Sequence, residues 1–369
     1  MSDSPSENRA SNGANWLRRG VFGVVLLLLL LVAAEAMVRL EDWIRYRTPL
    51  GKSLKDQSEL TELDATGRHP VPGSRFGKWH INALGTRGPE ADSARAGSRV
   101  LVLGASETFG LYESADHEYP RQLADSLTRA SCAADVLNAG FIGMSLPTVE
   151  QDLRLRLRAL APRVVVYYPT PPQYAEGIPV AATPDSSGRS IRPEPAWHFR
   201  FGTRAYNQLK SMFPVLSDWL RQRDIAAARK GTASDWVFQT VPDSQRAAFE
   251  HDLRRLVGTI HSIRATPILV THANGFVATP PLDNKILRAW ERQYPRATGA
   301  ALVQFDSVTA GIIRQVAADS GVALVDAWQG FHQVSGRESF ADFSHFTDRG
   351  AGTMAGLLRP AVSGALGCK

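Results

Sequence analysis

Between residues 99 and 326, short apolar runs alternate with longer stretches in which apolar residues recur every three or four positions. The runs are Arg99–Gly104 (RVLVLG), Asp135–Asn138 (DVLN), Arg163–Tyr168 (RVVVYY), Pro267–Thr271 (PILVT) and Val322–Asp326 (VALVD). Runs this short, apolar throughout and closed by turn residues predict strands covered on both faces. The periodic stretches predict helices over Asp116–Arg129, Leu146–Leu160 and Asp243–Arg264, one or two more within 281–319, and a last one from Thr347. Strand and helix in alternation predict a doubly wound parallel sheet. The alternation pauses over residues 170–240, which are Pro-rich at first and then aromatic, with Tyr174, Trp197, Phe199, Phe201, Tyr206, Trp219 and Trp236. A connection of this length carries structure of its own. It is read as a cap over the carboxyl edge of the sheet, with helix across Tyr206–Arg229 broken near Pro214.

The N-terminus follows a different pattern. Residues 1–19 are polar and read as a disordered cytoplasmic tail ending in Arg18 and Arg19. Residues 20–38 hold one charge, Glu35, and approach the roughly 20 residues a membrane-spanning helix needs. Positive charge ahead of the run keeps that end in the cytoplasm, while Arg39, Arg45 and Arg47 on the far side work against this orientation. A cleaved signal peptide is the rival, with Ala34-Glu35-Ala36 as its processing site. The apolar character resumes after Glu35 and merges into an amphipathic stretch, Met37–Tyr46, which favours an uncleaved anchor. Both readings put the rest of the chain outside the cytoplasm. Residues 39–80 read as a stalk and lead-in, and 81–366 as one domain.

Charge and cysteine content narrow the choices. The 369 residues carry a formal net charge of +6, but Lys and Arg are scattered and no nucleic-acid motif is present, so a nucleic-acid partner is not expected. The two cysteines, Cys132 and Cys368, lack metal-ligand spacing, and no metal or cofactor is expected.

In a parallel sheet, ligands bind beyond the carboxyl ends of the strands. The first strand is followed by Gly104-Ala105-Ser106-Glu107-Thr108-Phe109-Gly110, which sets Ser106 at the mouth of a helix, where free N–H groups and the helix dipole favour negative charge. Alone, this is equally a helix cap. It is neither a G-x-S-x-G elbow nor a phosphate loop. The second strand is followed by Asn138-Ala139-Gly140-Phe141-Ile142-Gly143-Met144-Ser145, where the Gly143 N–H is a candidate oxyanion donor. After the fifth strand comes Asp342-Phe343-Ser344-His345, an acid and a base on one loop. A serine hydroxyl needs such a base to take its proton, and the base needs a carboxylate to hold its tautomer. Asp326 is a competing acid. His272 and Asn274, after the fourth strand, are candidate pocket-lining residues.

Together these segments resemble the blocks of SGNH/GDSL hydrolases. GASETFG is similar to the first block, NAGFIGMS to the second and DFSHFTDRG to the last. Residues Ile81–Glu90 (INALGTRGPE) resemble the N-x-x-G-x-R-G-x-E lead-in of membrane-anchored members. The resemblance spans roughly residues 80–180 and 240–360. It implies a flavodoxin-like three-layer α/β/α sandwich and ester hydrolysis, or acyl transfer, through an acyl-enzyme. By the same resemblance Ser106 is the nucleophile, His345 the base and then the acid, Asp342 its orienting partner, and the Ser106 and Gly143 amides the oxyanion donors. Acylated envelope glycans or lipids are the implied substrates.

The chain departs from the family pattern at two places. Ala105 replaces an Asp of mainly structural role. Pro169-Thr170-Pro171-Pro172 replaces G-x-N-D, whose Asn completes the oxyanion hole. One lost donor costs about 100–1,000-fold in rate. Thr170 or Gln173 substitutes, or the enzyme is slow, or hydrolysis has been lost; the last alternative leaves a glycan-binding or scaffold domain. In a flavodoxin-like order the first and last helices flank one face, which brings Cys132 and Cys368 to one edge as a possible disulfide.

Overall fold

The computed structural model describes residues 7–51, 57–181, 198–275, 284–334 and 337–368. It begins with one long helix, α1 (Glu7–Tyr46). Its Arg18–Tyr46 part is long and apolar enough to cross a membrane. The expected tail is therefore helical from Glu7 onward, because a helix nucleated in the apolar run propagates cheaply into its flanks. Residues 1–6 and Trp197 lie outside the described residues.

Two small antiparallel hairpins follow: β1 (Thr61–Asp64) with β2 (Gly67–Pro70), and β3 (Arg75–Phe76) with β4 (Trp79–His80). The expectation of a stalk over 39–80 is corrected here. Residues 39–46 continue α1, and the hairpins fold onto the domain, with Leu60 and Ile81 buried in its core. The signal was weak because β3 and β4 are two residues long and the four-residue β1 and β2 (TELD, GRHP) are mostly polar.

The five apolar runs form one parallel sheet of β5 (Arg99–Leu103), β6 (Asp135–Asn138), β7 (Val164–Tyr167), β8 (Thr266–Val270) and β9 (Ala323–Val325). The order is β6-β5-β7-β8-β9, the flavodoxin-like arrangement. Alternate residues face opposite layers. Leu101, Leu103, Val165 and Leu269 pack with α4 (Leu146–Leu155), α7 (Asp243–Ser262) and α9 (Gly299–Ser320). Val100, Val102, Val164, Val166 and Ile268 pack with α3 (Tyr119–Arg129) and α11 (Asp348–Leu366). The strand centres are apolar because both faces are covered, and the polar residues Arg99, Asp135, Asn138 and Thr266 stand at strand ends. Cys132, just past α3, is disulfide-bonded to Cys368, just past α11, with Cα atoms 5.7 Å apart.

Three further short elements complete the chain. α2 (Ser106–Phe109) is a single turn, α8 (Asn284–Gln293) precedes α9, and α10 (Ala327–Val334), absent from the expectations, follows β9. The 170–240 insertion is a helical hairpin, α5 (Arg200–Met212) and α6 (Pro214–Arg229), broken at Phe213–Pro214 as expected from the proline. α6 is held to α8 by Asp218–Arg288 (2.8 Å) and Asp224–Arg292 (2.9 Å), and α5 packs on α1.

Candidate active site

The sheet order reverses between β5 and β7, which opens a crevice beyond their carboxyl ends. The chain leaves β5 through Gly104, where a Cβ would overlap Thr108 Oγ1 and come within 2.8 Å of the Tyr168 carbonyl. Only glycine allows the turn that aims Ser106 into the crevice. Because α2 is one turn long, Ser106 does not gain the dipole of a long helix. What it gains is local: first-turn N–H groups with no intrahelical acceptor.

Two residues brace this turn. Asn138 donates to the Thr108 carbonyl at 2.9 Å. Arg87, from the lead-in motif, is buried, donates to the Phe109 and Gly110 carbonyls, and pairs with Glu118 at 3.2 Å. A cation on those carbonyls stabilises the end of α2. This gives the lead-in arginine a physical role.

Asp342 organises its own loop. Its Oδ1 accepts the N–H groups of Ser344 (3.0 Å) and His345 (2.9 Å), an Asx-type turn. The Ala341 N–H donates to the His345 carbonyl and the Gly275 N–H to the Phe343 carbonyl, both at 2.8 Å. With the backbone pinned, His345 Nδ1 lies 3.0 and 2.9 Å from the two Asp342 oxygens, and His345 Nε2 lies 2.8 Å from Ser106 Oγ. Ser106, His345 and Asp342 thus form one hydrogen-bonded chain. The Tyr112 ring packs edge-on against His345. Burial pulls the His345 pKa down, but the Asp342 hydrogen bond and the nearby Glu107 charge outweigh it and raise it above the ordinary imidazole value.

The competing acid, Asp326, is engaged elsewhere. Arg314 grips both of its oxygens at 2.7 and 3.0 Å, and Thr271 donates to it at 2.9 Å.

Gly143 sits at φ +72°, and nothing among the described residues accepts its N–H. Arg68, on β2, holds the neighbouring carbonyls of Gly143 (3.2 Å) and Ile142 (3.0 Å). Gripping the carbonyls fixes the orientation of the peptides. The Thr170 hydroxyl does not supply a further donor, because its single proton goes to Glu107 Oε2 at 3.0 Å. Gln173 donates to the Met144 carbonyl at 2.9 Å.

His272 and Asn274 are also corrected as pocket-lining residues. Both are buried and turned to Asp306, at 2.6 Å from His272 Nδ1 and 2.5 Å from Asn274 Nδ2. His272 Nε2 faces Glu107 Oε1 at 3.9 Å, an ion-pair separation too long for a hydrogen bond. Burial opposes charge on His272, but Asp306 and then Glu107 raise its pKa to about 9. Burial likewise opposes charge on Glu107, and His272 and His345 more than offset this, holding it well below the usual carboxylate range.

Glu107 is the residue sequence reasoning passed over. Its Oε1 accepts Ser344 Oγ–H at 2.9 Å, and its Oε2 lies 3.3 Å from Ser106 Oγ. Its position directly after Ser106 was the one available signal. Among the described residues, no group of three or more His, Cys, Asp and Glu is arranged to hold a metal.

No protein-family model and no curated protein matches the sequence. Solved structures similar to the chain include a variant of an acetyl-xylooligosaccharide esterase from Geobacillus stearothermophilus, 14% identical, TM-score 0.41, covering 72% of this chain and 94% of that one. A lipase/acylhydrolase from Enterococcus faecalis is 14% identical, TM-score 0.42, covering 72% and 95%. A GDSL-like lipase from Bacteroides thetaiotaomicron is 14% identical, TM-score 0.39, covering 75% and 93%.

Proposed function

We propose that the chain is a serine esterase, anchored in a membrane by α1, whose domain outside the cytoplasm cleaves or transfers acyl groups on envelope glycans or lipids. The observation that carries this reading is the Ser106–His345–Asp342 hydrogen-bonded chain at the carboxyl edge of the sheet. Ser106 Oγ attacks the ester carbonyl while its proton passes to His345 Nε2. Asp342 holds the Nδ1–H tautomer and stabilises the imidazolium. The amides of Ser106 and Gly143 receive the oxyanion. His345 then returns the proton to the departing alkoxide, leaving an acyl-Ser106. Water, or an acceptor hydroxyl in a transferase, repeats the sequence in reverse. The Cys132–Cys368 disulfide suits an oxidising compartment outside the cytoplasm.

One observation favours a second reading, a slow or purely binding domain. Pro169, Pro171 and Pro172 have no N–H, and the Thr170 hydroxyl proton is committed to Glu107. An ester screen with the full chain in detergent decides between the two. Turnover of short- or long-chain esters that vanishes in Ser106→Ala supports the esterase. Glycan binding without turnover, unchanged by Ser106→Ala, supports the binding domain.

A further inference from the structure

The α5–α6 hairpin carries an apolar surface that the domain does not use. Leu209, Met212, Phe213, Val215, Leu216 and Trp219 are all exposed, Val215 to 84% and Met212 to 64%. All six lie where α5 gives way to α6, and those from Met212 to Trp219, with Pro214, line an open hollow of about 670 Å³. An exposed patch of this kind on a single domain marks an interaction surface.

The attachment of the hairpin identifies what covers it. α5 is fixed to α1, not to the sheet. The Phe201 N–H donates to Glu35 at 2.8 Å, Arg200 pairs with Asp42 at 3.0 Å, and Arg204 bridges Glu41 (2.6 Å) and Asp42. This is the end of α1 where an apolar helix gives way to a charged one. Exposed Trp16 and Trp43 bracket the apolar stretch. They lie ~40 Å apart along the helix, close to the thickness of a bilayer with its headgroups, and tryptophan concentrates at those two boundaries. The ion pairs of Glu41 and Asp42 therefore hold the start of α5 at the level of Trp43, beside the headgroups. The hairpin has the side chains for that depth: Trp219 with Arg223 over its ring at 5.7 Å, and Lys210 among the apolar residues.

We infer that the tip of the α5–α6 hairpin is embedded in the outer leaflet of the bilayer that α1 crosses. The inference rests on the proposed membrane-spanning role of α1 and deepens it. The domain is held down on the membrane at two places, not tethered at one. The crevice is then presented to esters borne at the membrane surface.

Nitroxide labels on single introduced cysteines in the full chain test this, because both native cysteines are joined and do not react. Labels at Met212→Cys, Val215→Cys, Leu28→Cys in α1 and Ser262→Cys at the far end of α7 are compared in phosphatidylglycerol-containing vesicles. Collision with oxygen reports lipid, and collision with a water-soluble nickel chelate reports water. The expected result is that positions 212 and 215 follow position 28, with high oxygen and low nickel accessibility, while 262 shows the reverse. If 212 and 215 follow 262 while 28 remains in lipid, the inference fails and the anchor stands. If 28 is itself in water, the membrane reading fails. Positions shielded from both reagents, as coverage by a second copy or another segment of the chain would leave them, also overturn it.

Discussion

Two histidines stand at the carboxyl edge of the same sheet, and each binds an aspartate through Nδ1. His345 pairs with Asp342 at 2.9 Å, and His272 pairs with Asp306 at 2.6 Å. They differ in what faces Nε2. For His345 it is the Ser106 hydroxyl, a neutral group with a proton to give. For His272 it is the Glu107 carboxylate in a fully buried site. An acid–histidine pair is thus not a base by itself. An imidazole between two buried anions keeps its proton and serves as a counter-ion, whereas one between an anion and a hydroxyl can exchange it. The two are coupled, because Glu107 touches both the His272 side and Ser106.

If that division holds, the largest effect comes from breaking the outer chain. Ser106→Ala and His345→Gln are each expected to lower kcat by ~10⁴–10⁶-fold, since residues acting as one unit fail together. Their melting temperatures should stay near the parent value. Equal losses of activity and of folded protein would show a structural site instead. Next come the two aspartates. Asp342→Asn is expected to lower kcat by roughly 10³–10⁴-fold, because the amide favours the wrong tautomer of His345. Asp326→Asn loses only the partly exposed Arg314 pair, about 1 kcal/mol or less of stability, with little change in turnover. Steady-state kinetics on the two variants separate them, and similar losses would remove Asp342 from its role.

The inner histidine should answer in stability. His272→Gln leaves Glu107 and Asp306 without their counter-ion and is expected to cost ~3–5 kcal/mol in denaturant unfolding near neutral pH. The sign of the pH dependence follows from a raised folded-state pKa. The contribution is complete below the free-histidine value of 6.5 and is lost as pH rises through about 9. The deficit of the variant should therefore narrow in alkali; a deficit independent of pH would mean that His272 is neutral. The smallest effect tests the coupling. Glu107 helps raise the His345 pKa, so Glu107→Gln should let the neutral base persist to lower pH. The acid limb of the kcat/KM profile then moves down. A limb that stays in place would uncouple the pairs.

The outer chain was legible in the sequence and the inner one was not, for a physical reason. Asp342 and His345 are three residues apart, and the spacing alone closes the Asx-type turn that orients them. Ser106 was legible only in the company of the other blocks, because a serine after a strand-ending glycine is equally a helix cap. The inner cluster draws Glu107, His272 and Asp306 from the ends of β5 and β8 and the middle of α9, and only the tertiary fold brings these together. The same holds for Arg68, whose grip on Gly143 spans 75 residues. In the fold, five strands were readable because their central residues are apolar and the sheet is covered on both faces. The hairpins of residues 61–80 and the eight-residue α10 were not, because elements that short repeat no pattern. The proline break at Pro214 was readable, but the docking of α5 on α1 rests on Arg200 and Arg204 meeting acids more than 150 residues away.

The central claim, that Ser106 is a nucleophile activated by His345, is tested most directly by a fluorophosphonate probe read by intact mass and peptide mapping. The account expects one adduct per chain, on Ser106, forming more slowly as pH falls and absent in His345→Gln. No adduct on the folded wild-type chain, or an adduct that forms equally well without His345, would contradict it.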